Sequence, residues 1–168
     1  MGNVAVLRLN LPQPTGRRQL TCVELRPGRI DDQALEVFNY SQCAVLASAL
    51  HDETGWPLLG IESRCPAGCW HWRHVGVRTP CGRFLDINGV RDYAEAERAW
   101  SEFLEGAPVR TVELPTITAF NRWIGMPESS ESWWKFEWGH DIVDATKEVL
   151  ASFVSKLLEG YRAQALAV

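Results

Sequence analysis

Arg73-His74-Val75-Gly76-Val77-Arg78-Thr79-Pro80-Cys81-Gly82-Arg83-Phe84-Leu85-Asp86-Ile87-Asn88-Gly89 reads as a β-hairpin, and its register decides which polar side chains meet. Proline at the second turn position and glycine at the fourth suit a type I turn followed by a glycine bulge. That loop pairs Thr79 with Arg83, so Gly76 opposes Asp86 and His74 opposes Asn88. Asp86 then shares a face with His74, diagonally offset and within side-chain reach. A two-residue loop would instead place the two on opposite faces. Alternation puts Val75 and Val77 on one side of the strand and His74, Gly76 and Arg78 on the other. A glycine opposite Asp86 leaves room for an imidazole above it.

Upstream, Asn39-Tyr40-Ser41-Gln42-Cys43-Ala44-Val45-Leu46-Ala47-Ser48-Ala49-Leu50 predicts a helix that starts near Ser41 and ends near residue 53, with Gly55 just past its end. Cys43, Leu46, Ala47 and Leu50 share one face, widened by Val45 and Ala49. Cys43 falls in the first turn, where the helix dipole favours an anion. A nucleophilic thiol needs that field and an imidazole oriented by a third polar group. Cys43, His74 and Asp86 supply the three in chain order, and Cys43 is expected to be the most nucleophilic of the five cysteines. Asn88 competes with Asp86 as orienter, because an amide can serve there. The plainer alternatives are a space-filling Cys43, a solvated His74, and an Asp86 that bonds only the Asn88-Gly89 turn. His51 lies two turns along the helix from Cys43, and His140 precedes the last helix. His71 is three residues from His74 and is expected on the other face.

Working outward, strands are predicted over 4–9 and 19–25 around a turn at 12–16, and over 58–62 and 109–114. A short helix over 31–38 is capped by Asp31 or Asp32. Asp92-x-x-Glu95 has the form of a capping box, and its helix is expected to bury Tyr93, Ala96, Trp100, Phe103 and Leu104 and to stop at Gly106. A further short helix spans 116–124. Asp141 opens a final helix with an apolar stripe of Ile142, Val149, Leu150, Phe153, Leu157 and Tyr161. No repeat or linker interrupts the chain. The expectation is one α+β domain over 1–168: a Cys-bearing helix packed on a small antiparallel sheet, with an extra C-terminal helix.

The chain has 168 residues, 46% apolar and 23% charged, ordinary for a globular domain. Its net charge of −4 argues against nucleic acid as a partner. Arg17, Arg18, Arg26 and Arg29 read as a solvated loop. No apolar run approaches the roughly 20 residues of a bilayer span, and no secretory signal is visible. Five cysteines at irregular spacing suit a reducing, cytoplasmic setting, or delivery into another cell by a signal-independent route. Cys65-x3-Cys69-x-His71-x2-His74 carries zinc-ligand residue types, but the spacing fits no standard site, so neither metal nor cofactor is expected. Trp72, Trp133 and Trp134 are candidates for a binding rim, because tryptophan is enriched at interfaces.

The order of cysteine at a helix start, histidine on one strand and aspartate on the next resembles the papain-like cysteine hydrolase superfamily. The likeness is nearest to its compact branches: NlpC-type peptidases, transglutaminase-like proteins, effector proteases and toxin deamidases. It covers residues 39–90. It implies a papain-like core, with Cys43 as nucleophile, His74 as general base and then acid, and Asp86 as orienter. It also implies an upstream glutamine for the oxyanion, for which Gln42 is a candidate beside the backbone N–H of Cys43. The implied activity is hydrolysis of amide bonds in a protein or peptide, as peptidase or glutamine deamidase. The alternative is a non-catalytic inhibitor or adaptor of phage or mobile-element type, with Cys43 in the core and residues 133–138 as its contact surface.

Overall fold

The structure, a computed structural model, describes residues 6–15, 17–128 and 143–166. Its centre is an antiparallel five-stranded sheet in the order β6-β5-β4-β3-β7. The strands are β3 (Leu58–Arg64), β4 (Trp70–Arg78), β5 (Phe84–Asp86), β6 (Gly89–Arg91) and β7 (Val109–Leu114). A separate antiparallel pair, β1 (Leu7–Thr15) and β2 (Leu20–Leu25), packs on α1 (Asp32–Tyr40). The remaining helices are α2 (Cys43–Thr54), α3 (Tyr93–Phe103), α4 (Ile117–Ile124) and α5 (Val143–Ala165). The chain is therefore α+β, with a Cys-bearing helix on the sheet and a further helix at its C-terminal end.

Both sheet faces are covered, which explains why β4 departs from simple in–out alternation over His74, Val75, Gly76 and Val77, all buried. Val75, Val77, Leu58 and Leu85 pack with Leu46 and Leu50 of α2 and with Phe153 and Leu157 of α5. On the opposite face, Leu59, Ile61 and Phe84 meet Ala96 and Trp100 of α3. The principal core adds Phe38 of α1, edge-on to Phe153 at 5.2 Å between ring centroids.

Local signals in the sequence account for most helix ends. Asp31 caps α1, its carboxylate accepting from the N–H groups of Gln33 and Ala34. Gly55 and Gly125 close α2 and α4 in the left-handed conformation, at φ 68° and 80°. Asp92 precedes α3 as expected, but its side chain makes no cap bond and pairs with Arg83 at 3.0 Å instead. The expected capping box is thus displaced by an ion pair on the neighbouring hairpin. Tyr93, Phe103 and Leu104 are partly buried around Ala96 and Trp100.

Three other expectations change. The expected turn at 12–16 is mostly strand, since β1 runs on to Thr15, paired with Leu20. The sheet also continues past the Asn88-Gly89 turn into β6, with Asp86 paired to Gly89 and Phe84 to Arg91. Finally, β4 carries a bulge. Ile61 pairs with His74 and Glu62 with Trp72, leaving Arg73 as the extra residue. Ser63 pairs with His71. Because Ile61 and Ser63 share a face, the extra residue brings His71 into phase with His74 instead of opposite it. Asp141, Ile142 and the 133–138 contact segment lie outside the described residues.

Candidate active site

The turn at 79–83 sets the site. The N–H of Thr79 donates to the carbonyl of Arg83 at 2.9 Å, and Gly82 takes φ 76°, as a glycine bulge requires. Val77 pairs with Leu85 and Arg78 with Phe84, so continuing the register puts Gly76 opposite Asp86. The room left by Gly76 serves the strand, not the imidazole. A Cβ there would stand 2.4 Å from the Leu85 carbonyl oxygen and 2.9 Å from the Phe84 ring. Glycine is what lets β5 close onto β4.

In this register Nε2 of His74 donates to Oδ2 of Asp86 at 2.8 Å, with both side chains buried. Asp86 is shared further. Its Oδ2 takes Nη2 of Arg91 at 2.5 Å. Its Oδ1 accepts from the backbone N–H of Asn88 at 2.8 Å, and the Asn88 side-chain amide lies 3.2 Å from each oxygen. The carboxylate therefore holds the imidazole and the Asn88-Gly89 turn together. Asn88 bonds Asp86 and not His74, so its place is behind the carboxylate and not as a rival orienter.

Asn88 also ties the sheet to the Cys-bearing helix. It exchanges amide hydrogen bonds with Asn39, at 2.7 and 3.3 Å, where α1 gives way to α2. Two residues after this junction comes Gln42, the N-cap residue of α2, whose amide donates to the Ser41 hydroxyl at 3.2 Å. Cys43 follows as the first helical residue, buried. Its backbone N–H has no intrahelical acceptor, as at any helix start.

The electrostatics couple the three residues. Burial alone would lower the pKa of His74, but the hydrogen bond to Asp86 and the proximity of the Cys43 thiol outweigh it, and the imidazole is pushed up to about 9. Burial would likewise raise Asp86, yet His74 and Arg91 hold its carboxyl below the ordinary carboxylate value. Nδ1 of His74 has no hydrogen-bond partner among the described residues. The Cys43 thiol bears on the ring as well. The site is thus arranged to hold an imidazolium beside a carboxylate.

Aromatic packing covers it. Trp100 of α3 stacks on the His74 ring at 5.1 Å and 29° between planes, and Phe84 lies at 6.1 Å on the hairpin. Cys43 is 3% exposed, His74 0% and Asp86 2%, so the surrounding packing must move before another molecule can reach the sulfur.

Sequence reasoning missed Arg91, Asn39 and Trp100 as neighbours of the site. The Asn-Gly dipeptide carried the signal for Arg91. Read as a two-residue hairpin loop, it places Arg91 directly opposite Asp86; the loop is instead Ile87-Asn88, with Gly89 opposite Asp86 and Arg91 two positions on, along the same face. Nothing in the local sequence marks Trp100, which a separate helix delivers. Trp72, a proposed rim residue, is 37% exposed and lies 5.9 Å from Trp123 between ring centroids, away from the stacked Trp100. Trp133 and Trp134 lie outside the described residues. Among the described residues no group of three or more His, Cys, Asp and Glu side chains is arranged to hold a metal ion. No helix among them is long and apolar enough to cross a membrane. Comparison of the chain with protein-family models, curated proteins and solved structures gave no match.

Proposed function

We propose that the chain is a papain-like cysteine hydrolase acting on an amide bond of a protein or peptide, as peptidase or glutamine deamidase. The observation that carries this reading is the buried imidazole: Nε2 fixed on Asp86 at 2.8 Å, with the Cys43 thiol, at a helix start, near enough to help raise the pKa of the same ring. The five cysteines are unpaired, which fits a reducing compartment.

In the proposed reaction the Cys43 thiolate attacks the amide carbonyl and forms a C–S bond. The carbonyl electron pair moves to oxygen, which the N–H of Cys43 receives, with Gln42 as a second candidate donor. The tetrahedral adduct collapses as the C–N bond breaks. His74 gives its proton to the departing nitrogen, releasing an amine, or ammonia from a glutamine side chain. His74, now neutral, takes a proton from water as that water attacks the thioester. The C–S bond breaks with its electron pair on sulfur, and the products are a carboxylic acid and the restored thiolate–imidazolium pair.

An acyl-transfer test needs no knowledge of the natural substrate. Treatment with p-nitrophenyl acetate should release a burst of p-nitrophenol and leave an acetyl group on Cys43, located by mass spectrometry. His74→Ala should slow that step by about a hundredfold or more. Acetylation of the exposed cysteines with Cys43 unmodified would overturn the reading.

A second reading has one observation in its favour, the near-complete burial of all three residues. In it the chain is a non-catalytic interaction protein, and the Cys43, His74 and Asp86 cluster is a satisfied polar core. It predicts a Cys43 inert to the acyl donor even under prolonged exposure.

A further inference from the structure

A cavity of about 210 Å³ lies between the α1–α2 junction and α3. Two cations reach it, Arg17 and Arg91, beside the amides of Asn39 and Asn88. Its apolar wall is a triad of rings: Tyr40 lies 5.7 Å from Trp100 and 4.6 Å from Phe103, and Trp100 lies 5.4 Å from Phe103. Because the rings brace one another, the wall stands without a ligand.

The polar groups are incompletely used. Arg17 sits over the Phe103 ring at 5.5 Å, beside Tyr40. Among the described residues no carboxylate lies within ion-pair distance of it. Arg91 gives Nη2 to Asp86, but its Nε is buried without a hydrogen-bond partner among the described residues. A buried donor left unpaired is costly, and an acceptor oxygen from a ligand removes that cost. Guanidinium groups favour carboxylates because two parallel N–H groups match two oxygens. The ring wall favours a flat apolar arm behind the carboxylate.

The cavity also touches the thiol site. Asn88 and Arg91 line it and hold Asp86, while Trp100 forms its wall and covers His74. We propose that it is a recognition subsite for a carboxylate carried on a flat apolar arm, which would hold that part of a substrate beside Cys43. The binding stands on the cavity itself; its use as a substrate subsite rests on the hydrolase reading.

Benzoate, benzamide and inorganic phosphate separate the contributions, with the whole chain titrated by NMR. Benzoate should shift the Trp100 indole N–H and the side-chain amides of Asn39 and Asn88, and the shifts should saturate. Benzamide, with the same shape and no charge, should bind at least tenfold more weakly, as should phosphate, with charge and no arm. Arg17→Gln, at an exposed position, should weaken benzoate about tenfold. Absent benzoate shifts, equal binding of benzamide or phosphate, or an indifferent Arg17→Gln would each overturn the proposal. The p-nitrophenyl acetate reaction of the same unaltered chain separates the two readings. Benzoate binding alongside a Cys43 inert to p-nitrophenyl acetate keeps the site and removes its role as a substrate subsite. A reactive Cys43 without benzoate binding defeats this inference alone.

Discussion

His74 and Asp86 meet at 2.8 Å although they are not cross-strand partners: Asp86 stands opposite Gly76 and reaches the imidazole diagonally. The contact depends on one extra residue in a five-residue turn and on a glycine that lets two strands close. It couples the hairpin register directly to the charge on the imidazole.

Asp86→Asn tests that coupling. The carboxylate faces His74 and Arg91, so the amide leaves one buried cation and one partly buried cation without their counter-charge. The variant is expected to lose about 3–5 kcal/mol of stability, measured by urea unfolding, and to lower the pKa of His74, measured by NMR titration of its ring. A stability loss near 1 kcal/mol with an unmoved His74 curve would reduce Asp86 to a turn residue.

Stability should also depend on pH in a defined direction. The folded pKa of His74, about 9, lies above its ordinary 6.5. The folded state therefore binds the proton more tightly than the unfolded chain. That contribution is complete below pH 6.5 and is lost as the pH rises through 9. By the shift it is worth about 3 kcal/mol at most. Asp86 has the opposite sense: its lowered pKa stabilises above the ordinary 3.8 and that share disappears as pH falls through the folded value. Urea midpoints should hold from about pH 4 to 6.5 and fall between 6.5 and 9. His74→Gln should flatten the alkaline fall.

Gly76→Ala should be destabilising out of proportion to one methyl group. Its Cβ would meet backbone at the Leu85 carbonyl, which cannot swing aside as a flexible side chain can. Overpacking of this kind costs about 1–3 kcal/mol. Because β5 must shift to relieve it, the His74 pKa should fall together with the melting temperature. A variant that melts earlier with an unchanged His74 titration would show that the register does not hold the imidazole.

Much of this site was legible because its determinants are local. The turn chemistry of Pro80 and Gly82 specifies the register, and the register puts Asp86 on the face of His74. The helix starts at Cys43, two residues after the expected Ser41, and closes at Gly55, as that residue type indicates. What was not legible comes from distant elements or from competition. Asp92 has the residue type of a cap, but a guanidinium on the adjacent hairpin claims its carboxylate. The bulge at Arg73 carries no glycine to announce it and moves His71 into phase with His74. Trp100 is an apolar position in an amphipathic helix, and only the packing of α3 on the sheet reveals it as the cover of an imidazole.

Cysteine labelling should follow exposure before chemistry. Cys22, Cys69 and Cys81 are exposed and Cys65 is partly so, whereas Cys43 is buried. Thr79 Oγ1, 3.2 Å from the Cys81 sulfur, also holds that thiol below its ordinary pKa. Iodoacetamide near neutral pH should therefore mark Cys81 before Cys43, read by peptide mass spectrometry. Cys43 marked first would mean that the site opens readily in solution.

Trp100→Leu decides whether the cover over His74 is what shields the sulfur. The indole is stacked on His74 and braced by Tyr40 and Phe103, so it closes the imidazole off from the α3 side. Full truncation of such a residue costs about 3–5 kcal/mol; leucine keeps part of the apolar volume and so favours a folded variant. In a background with Cys22, Cys65, Cys69 and Cys81 changed to serine, only Cys43 can react with iodoacetamide. Loss of the indole should raise its alkylation rate several-fold while the urea transition remains cooperative. A Cys43 that reacts no faster in a folded Trp100→Leu protein would place the barrier in the α1–α2 junction, where Asn39 and Asn88 hold the helix start against the sheet. Asn39→Ala would then be the variant that releases it.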